Sequence, residues 1–166
     1  LKNLPESKFI VILRDPISRA FSAFHMMKRN ERIAPDCSFN EFIKQDIQGL
    51  NRFFESRRSV LDRPRIYRGL IGRGLYAKQI EHWFSHFSPD QFLFLDFNEL
   101  TSTPHKFYQR IYTFLNVQLN DLTHFIHEAK GGYKVQMDTE SHQLLSDYYS
   151  APNEALFDLL GRSFDW

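Results

Sequence analysis

The stretch that most constrains the fold is Lys8 to Arg29, KFIVILRDPISRAFSAFHMMKR. Five consecutive apolar residues, Phe9 to Leu13, are too few for a helix core and suit a strand buried on both faces. The run stops at Arg14-Asp15-Pro16. Asp15 is a good N-cap, and Pro16 suits the first helical position, where its missing N–H removes a donor that has no partner anyway. Ile17, Ala20, Phe21 and Phe24 then recur at helical spacing, so an apolar stripe is expected to pack back on the strand. Ser18, Ser22, His25 and Arg29 fall on a separate polar stripe. Strand, tight turn and helix together make the local geometry of an α/β phosphate site, with Arg14 where the strand ends.

Arg14 has two readings. It can pair with Asp15 or another acid as a structural residue, or its planar fork can take a pair of phosphate oxygens. Ser22, two turns into the helix, would add a hydroxyl donor. An Arg and a Ser eight residues apart say little by themselves, but the whole string is more specific. Arg14-Asp15-Pro16-Ile17-Ser18-Arg19-Ala20-Phe21-Ser22 resembles the R-D-P-x-x-R-x-x-S segment of sulfotransferases that use 3′-phosphoadenosine 5′-phosphosulfate (PAPS). The resemblance implies that Arg14 and Ser22 hold the 3′-phosphate of the adenosine. It gives Arg19 a structural role. It also implies a P-loop NTPase-like, three-layer α/β/α fold with a parallel sheet, of which this chain holds a partial sheet and many helices.

Further matches follow along the chain. Gly74-Leu75-Tyr76, with Trp83 seven residues after the tyrosine, resembles the family stretch whose Tyr lies by the adenine, which makes Tyr76 a candidate for stacking on the base. Without the resemblance, a Tyr at a helix start is simple packing. Gln91 to Phe97 is the second apolar strand, followed by Asn98-Glu99-Leu100 and by Thr103-Pro104 opening a helix. Glu99 is read as a brace for structure, not a catalytic group. Lys130-Gly131-Gly132 reads either as a helix ending in a flexible turn or, by resemblance to an R-K-G loop of cytosolic sulfotransferases, as a return to the 3′-phosphate. Lys130 and Gly131 are therefore candidate nucleotide contacts, although Ala129 replaces the loop's Arg.

The remaining segments are read as packing. Ser38 and Glu41 form a capping box ahead of a helix to about Leu50. The tail is expected to hold one helix through Leu144, Leu145, Tyr148 and Tyr149, a break at Ala151-Pro152, and a second helix ending at Gly161. The Gly69 to Gly74 run follows no strand and lacks the G-x-G-x-x-G order of a dinucleotide loop. Between Arg52 and Arg73, seven arginines face two acids, which reads as a solvated loop or as a basic rim drawing in an anionic donor or acceptor.

Composition limits the alternatives. A formal net charge of +1 gives no whole-molecule field for nucleic acid or membrane. The single cysteine, Cys37, excludes an internal disulfide framework and a cysteine-based zinc site, and no metal is expected. No apolar run approaches the roughly 20 residues that span a bilayer and no signal peptide opens the sequence, so the expected location is cytoplasmic. Two parallel strands do not make a stable sheet, so residues 1–166 are read as one domain truncated at its N-terminal side. The family's Gly/Ser/Thr-rich loop for the 5′-phosphosulfate is not found in the sequence, and its His or Glu general base is expected upstream; the catalytic residues are thus unassigned.

The reaction the resemblance implies is transfer of a sulfuryl group from PAPS to an acceptor hydroxyl or amine, on a carbohydrate, lipid or small-molecule alcohol. Two other readings compete. One is a non-catalytic nucleotide- or acceptor-binding module. The other is a nucleotide kinase relative, which should show a G-K-[ST] loop that this sequence lacks.

Overall fold

The strand begins at Phe9 and ends at Leu13, as the apolar run requires (β1, Phe9–Leu13). The computed structural model describes residues 6–55, 69–118 and 135–166. In chain order the elements after β1 are α1 (Pro16–Arg29), α2 (Phe39–Glu55), a 3₁₀ turn (Gly72–Gly74), α3 (Tyr76–Phe84), a second 3₁₀ turn (Pro89–Gln91), β2 (Phe92–Asp96), α4 (Phe97–Ser102), α5 (Pro104–Leu115) and α6 (Thr139–Leu160). The chain divides into two compact units, Leu1–Arg14 with Gln79–Lys130, and Asp15–Lys78 with Gly131–Trp166.

The first unit is built on the β1–β2 pair. The strands run parallel, with Phe9 opposite Phe92 and Leu13 opposite Asp96. Side chains alternate across a strand, so Phe9 shares a face with Phe92 and Phe94. That face is an aromatic layer. Phe9 stacks on Phe92 at 4.7 Å and meets Phe87 edge-on at 4.6 Å, while Phe84 meets Phe92 at 5.3 Å. On the β2 side Leu95 is fully buried. The expectation that β1 is buried on both faces is not met: Ile10 is 38 % and Ile12 48 % exposed. Among the described residues the sheet has two strands, and the Ile10 and Ile12 face of β1 is only partly covered.

At the end of β2, Asp96 caps α4 by accepting from the Asn98 N–H at 2.9 Å. Glu99 is the brace that its place in the sequence suggests. It pairs with Arg110 of α5, whose other guanidinium nitrogen donates to the Phe94 carbonyl of β2 at 3.2 Å. This ties strand, short helix and long helix together within the unit.

The second unit is helical. Asp15 caps α1, accepting from Ile17 N at 3.1 Å and Ser18 N at 2.9 Å, with Pro16 at the first helical position. Ser38 and Glu41 close the capping box of α2, the Glu41 N–H donating to Ser38 Oγ and the Ser38 N–H to Glu41 Oε2. The Ser38 hydroxyl also donates to Glu41 Oε2 at 2.7 Å, and this bond, with that from the Ser38 N–H, holds the Glu41 carboxyl below the usual carboxylate range. The buried stripe of α1 (Ala20, Phe21, Phe24) joins Phe39 and Ile43 of α2 and Leu145 and Tyr149 of α6 in one core. Phe39 meets Phe21 at 5.0 Å and Phe24 at 5.2 Å, both edge-on.

Helix α6 differs from expectation by running unbroken from Thr139 to Leu160 with Pro152 inside it. A proline in mid-helix costs about 3 kcal/mol through its lost donor and its ring clash. Buried residues on both sides of it, Leu145 and Tyr149 before and Leu156 after, offset that cost by keeping both halves on one packed stripe. The helix stops at Gly161, as the sequence indicates. Gly161 takes φ +61°, a left-handed conformation that glycine adopts without a Cβ penalty, and the Arg162 N–H closes back on the Phe157 carbonyl at 3.2 Å.

Candidate functional site

Arg14 is the residue after β1 and the last of the first unit's N-terminal segment. It is half-buried, and its guanidinium lies over the Phe97 ring at 5.0 Å. An aromatic face attracts a guanidinium through its ring quadrupole and so holds the cation at the end of the strand.

Ser22 lies two turns into α1, in the second unit, and is half-buried. Among the described residues its hydroxyl makes no hydrogen bond. The start of the same helix is closed differently. The Asp15 carboxylate occupies the Ile17 and Ser18 N–H groups and also takes the Ser18 hydroxyl. The helix N-terminus thus already carries a negative charge, and an anion held near α1 must be held by side chains, not by the backbone N–H groups that many phosphate sites use.

His25 stands one turn further along the polar stripe. It packs edge-on against Phe21 at 4.5 Å and Phe24 at 5.5 Å. Burial, and then the Lys28 charge, push its imidazole below the usual histidine range, so it is held neutral.

Tyr76 opens α3 at the end of a segment pinned from several sides. The Ile71 N–H donates to Asp46 Oδ2 at 2.9 Å, the Tyr149 hydroxyl donates to the Ile71 carbonyl at 2.8 Å, and Arg19 donates to the Leu70 carbonyl. Arg19 therefore has the structural role the resemblance gives it. Burial pushes the Tyr149 hydroxyl well above the ordinary phenol range, so it remains a donor at any working pH. Gly74 is required where it stands: a Cβ there would lie 2.6 Å from the Tyr149 hydroxyl oxygen and 2.8 Å from Pro16 Cβ. The Tyr76 ring itself is half-buried and meets Trp166 edge-on at 6.2 Å.

Tyr149, Asp46 and Trp166 were not singled out by sequence reasoning as serving this region. Tyr149 reads as one more core aromatic, and its polar end matters only because the fold brings Ile71 to it, 78 residues away in sequence. Lys130 and Gly131 lie outside the described residues, as do residues 120–129 and Arg57, Arg58, Arg63, Arg65 and Arg68 of the basic segment. Among the described residues no group of three or more His, Cys, Asp or Glu side chains gathers as metal ligands, and no helix is long and apolar enough to cross a membrane.

Comparison with known proteins bears on the family of the chain. The family model described as the sulfotransferase domain matches residues 2–150. The chain is 30 % identical over 182 residues to the bifunctional heparan sulfate N-deacetylase/N-sulfotransferase 3 of Mus musculus, covering 96 % of this chain and 20 % of that protein. It is 29 % identical over 180 residues to the type 1 enzyme of the same name from Xenopus laevis, covering 95 % of this chain and 19 % of that protein. The heparan sulfate glucosamine 3-O-sulfotransferase 3B1 of Mus musculus is 24 % identical, with 97 % of this chain and 44 % of that protein covered. The chain thus spans about a fifth of the length of the first two relatives. In fold it is similar to the crystal structure of a sulfotransferase from Alicyclobacillus acidocaldarius, with a TM-score of 0.66 at 24 % identity over 96 % of this chain and 57 % of that one. The R-D-P strand-turn-helix, the parallel β1–β2 pair and the match over residues 2–150 agree, and the chain belongs to the sulfotransferase domain family.

Proposed function

We propose that the protein transfers a sulfuryl group from PAPS to an amine or hydroxyl of a carbohydrate acceptor. The observation that carries this reading is the capped strand-turn-helix at Arg14 to Ser22 inside a family match that covers residues 2–150. The acceptor class rests on the relatives, whose names specify heparan sulfate.

In this reading Arg14 and Ser22 take the 3′-phosphate, the guanidinium supplying charge and a paired donor and the hydroxyl a single bond. Asp15 closes the backbone donors at the start of α1, so the contact depends on those two side chains. Tyr76 supplies an apolar face for the adenine, and Lys130 with Gly131 would add a loop contact to the same phosphate. Bound PAPS supplies the activated sulfuryl group. The protein's part is orientation and charge stabilisation, with the acceptor proton leaving to a general base and adenosine 3′,5′-bisphosphate departing. No residue of this chain is assigned as that base.

The test is transfer of labelled sulfate from PAPS to a glucosamine-containing polysaccharide with free amines. Incorporation that requires the polysaccharide and falls in Arg14→Ala supports the assignment. Binding of adenosine 3′,5′-bisphosphate without transfer to any amine or hydroxyl acceptor would overturn it in favour of a non-catalytic nucleotide-binding module.

A further inference from the structure

The end of α3 carries two histidines four residues apart, His82 in its last turn and His86 just beyond it. Residues at that spacing lie on one helix face, and both side chains are exposed. The chain stays against the helix after Phe84. The Ser85 N–H donates to the Glu81 carbonyl at 3.1 Å, and the His86 and Phe87 N–H groups both donate to the Trp83 carbonyl at 3.0 Å. His86 Nδ1 lies 2.9 Å from the His82 carbonyl oxygen and 2.8 Å from Ser85 Oγ, whose hydroxyl donates to the same carbonyl at 2.7 Å. A carbonyl oxygen only accepts, so Nδ1 carries the proton and Nε2 keeps its lone pair. Closing a carbonyl of the last turn accounts for the Nδ1 bond alone. Neither His86 Nε2 nor the His82 ring makes a hydrogen bond among the described residues. The two rings stand 4.9 Å apart, centre to centre, at 64°.

We propose that His82 and His86 form a two-armed site for a divalent transition-metal ion of the zinc, nickel and copper class, with water completing the coordination. Neutral imidazole suits those ions. An ion about 2.0–2.1 Å from one nitrogen of each ring, at a tetrahedral or octahedral angle, sets the ring centres about 4.5–5.2 Å apart, and the observed separation falls in that interval. The bond from Nδ1–H to a backbone carbonyl is the outer contact that metal-binding histidines commonly make, since it fixes the tautomer and orients the ring. The C-terminal end of a helix also carries partial negative charge, which favours a cation there. Exposure on the helix surface leaves room for the waters that two protein ligands require. All these groups lie in the first compact unit, and the inference is independent of the sulfotransferase reading.

Calorimetric titration of zinc chloride onto the full chain at neutral pH tests this. His82→Ala and His86→Ala are each expected to raise Kd at least about tenfold, and the double variant no further than either alone, because a chelate that loses one arm loses the advantage of both. The chain has seven histidines, and His124 with His127 is another close pair, so His124→Ala/His127→Ala is the control and is expected to keep the natural Kd. Zinc should also raise the thermal midpoint of the natural protein and of the control but not of His82→Ala. An unchanged Kd in both single variants would overturn the proposal. So would a loss in only one of them, which would make the site one-armed, or a loss confined to the control, which would place the ion elsewhere. A lowered metal-free midpoint in His86→Ala with zinc affinity intact would equally overturn it, leaving the His82 carbonyl bond as a helix cap and nothing more.

Discussion

The Tyr149 hydroxyl donates to the Ile71 carbonyl from a side chain that is 1 % exposed, so removing it strands a buried acceptor. Tyr149→Phe should destabilise the protein by about 1–3 kcal/mol, read as a lower midpoint in urea with an unchanged slope. A change within error would mean that the carbonyl finds another donor. His25 gives a prediction in pH. Its pKa in the folded protein lies below 6.5, so the unfolded chain binds the proton more readily. The stability it contributes is present above 6.5 and is lost as pH falls through the lower, folded value. Titration of the His25 ring protons by NMR should give a midpoint below that of a free histidine; a midpoint at or above 6.5 would contradict the burial argument. Neither effect is visible in the residue types. A tyrosine in an apolar stripe and a histidine on a polar one look like core and surface until the fold brings Ile71 to the first and the Phe21 and Phe24 rings to the second.

At the scale of elements, the sequence was legible wherever a local signal acts within a few residues. Asp15-Pro16, Ser38 with Glu41, Thr103-Pro104 and Gly161 each mark a helix end, and each is found where its chemistry puts it. Two expectations failed because tertiary packing outweighed local preference. Pro152 does not break α6, since Leu145, Tyr149 and Leu156 keep the helix packed across it. Among the described residues β1 is not fully covered on both faces, because an unbroken apolar run cannot report whether neighbours cover it. Pro152→Ala restores a helical donor and should stabilise α6 by on the order of 1 to 3 kcal/mol, measured as a raised thermal midpoint. A lowered midpoint would show that the helix uses the irregularity that proline imposes. Asp15→Ala removes the cap of α1 and should cost about 1 kcal/mol.

For the whole molecule, the α/β class and the sulfotransferase family were legible from one stretch, Lys8 to Arg29, because strand, turn and helix there must cooperate to make the pattern at all. The proposed nucleotide contacts rest on the same resemblance alone. The spacing of Arg14 and Ser22 places them on a strand end and a helix face but does not specify a ligand. The central claim is that Arg14 and Ser22 grip a phosphate attached at the 3′ position. Calorimetric titration of adenosine 3′,5′-bisphosphate and of adenosine 5′-monophosphate, onto the natural protein and onto Arg14→Ala, tests it most directly. The bisphosphate should bind the natural protein more tightly, and Arg14→Ala should weaken it by roughly 2–4 kcal/mol while leaving the monophosphate little changed. Equal affinity of the natural protein for the two nucleotides would contradict the claim.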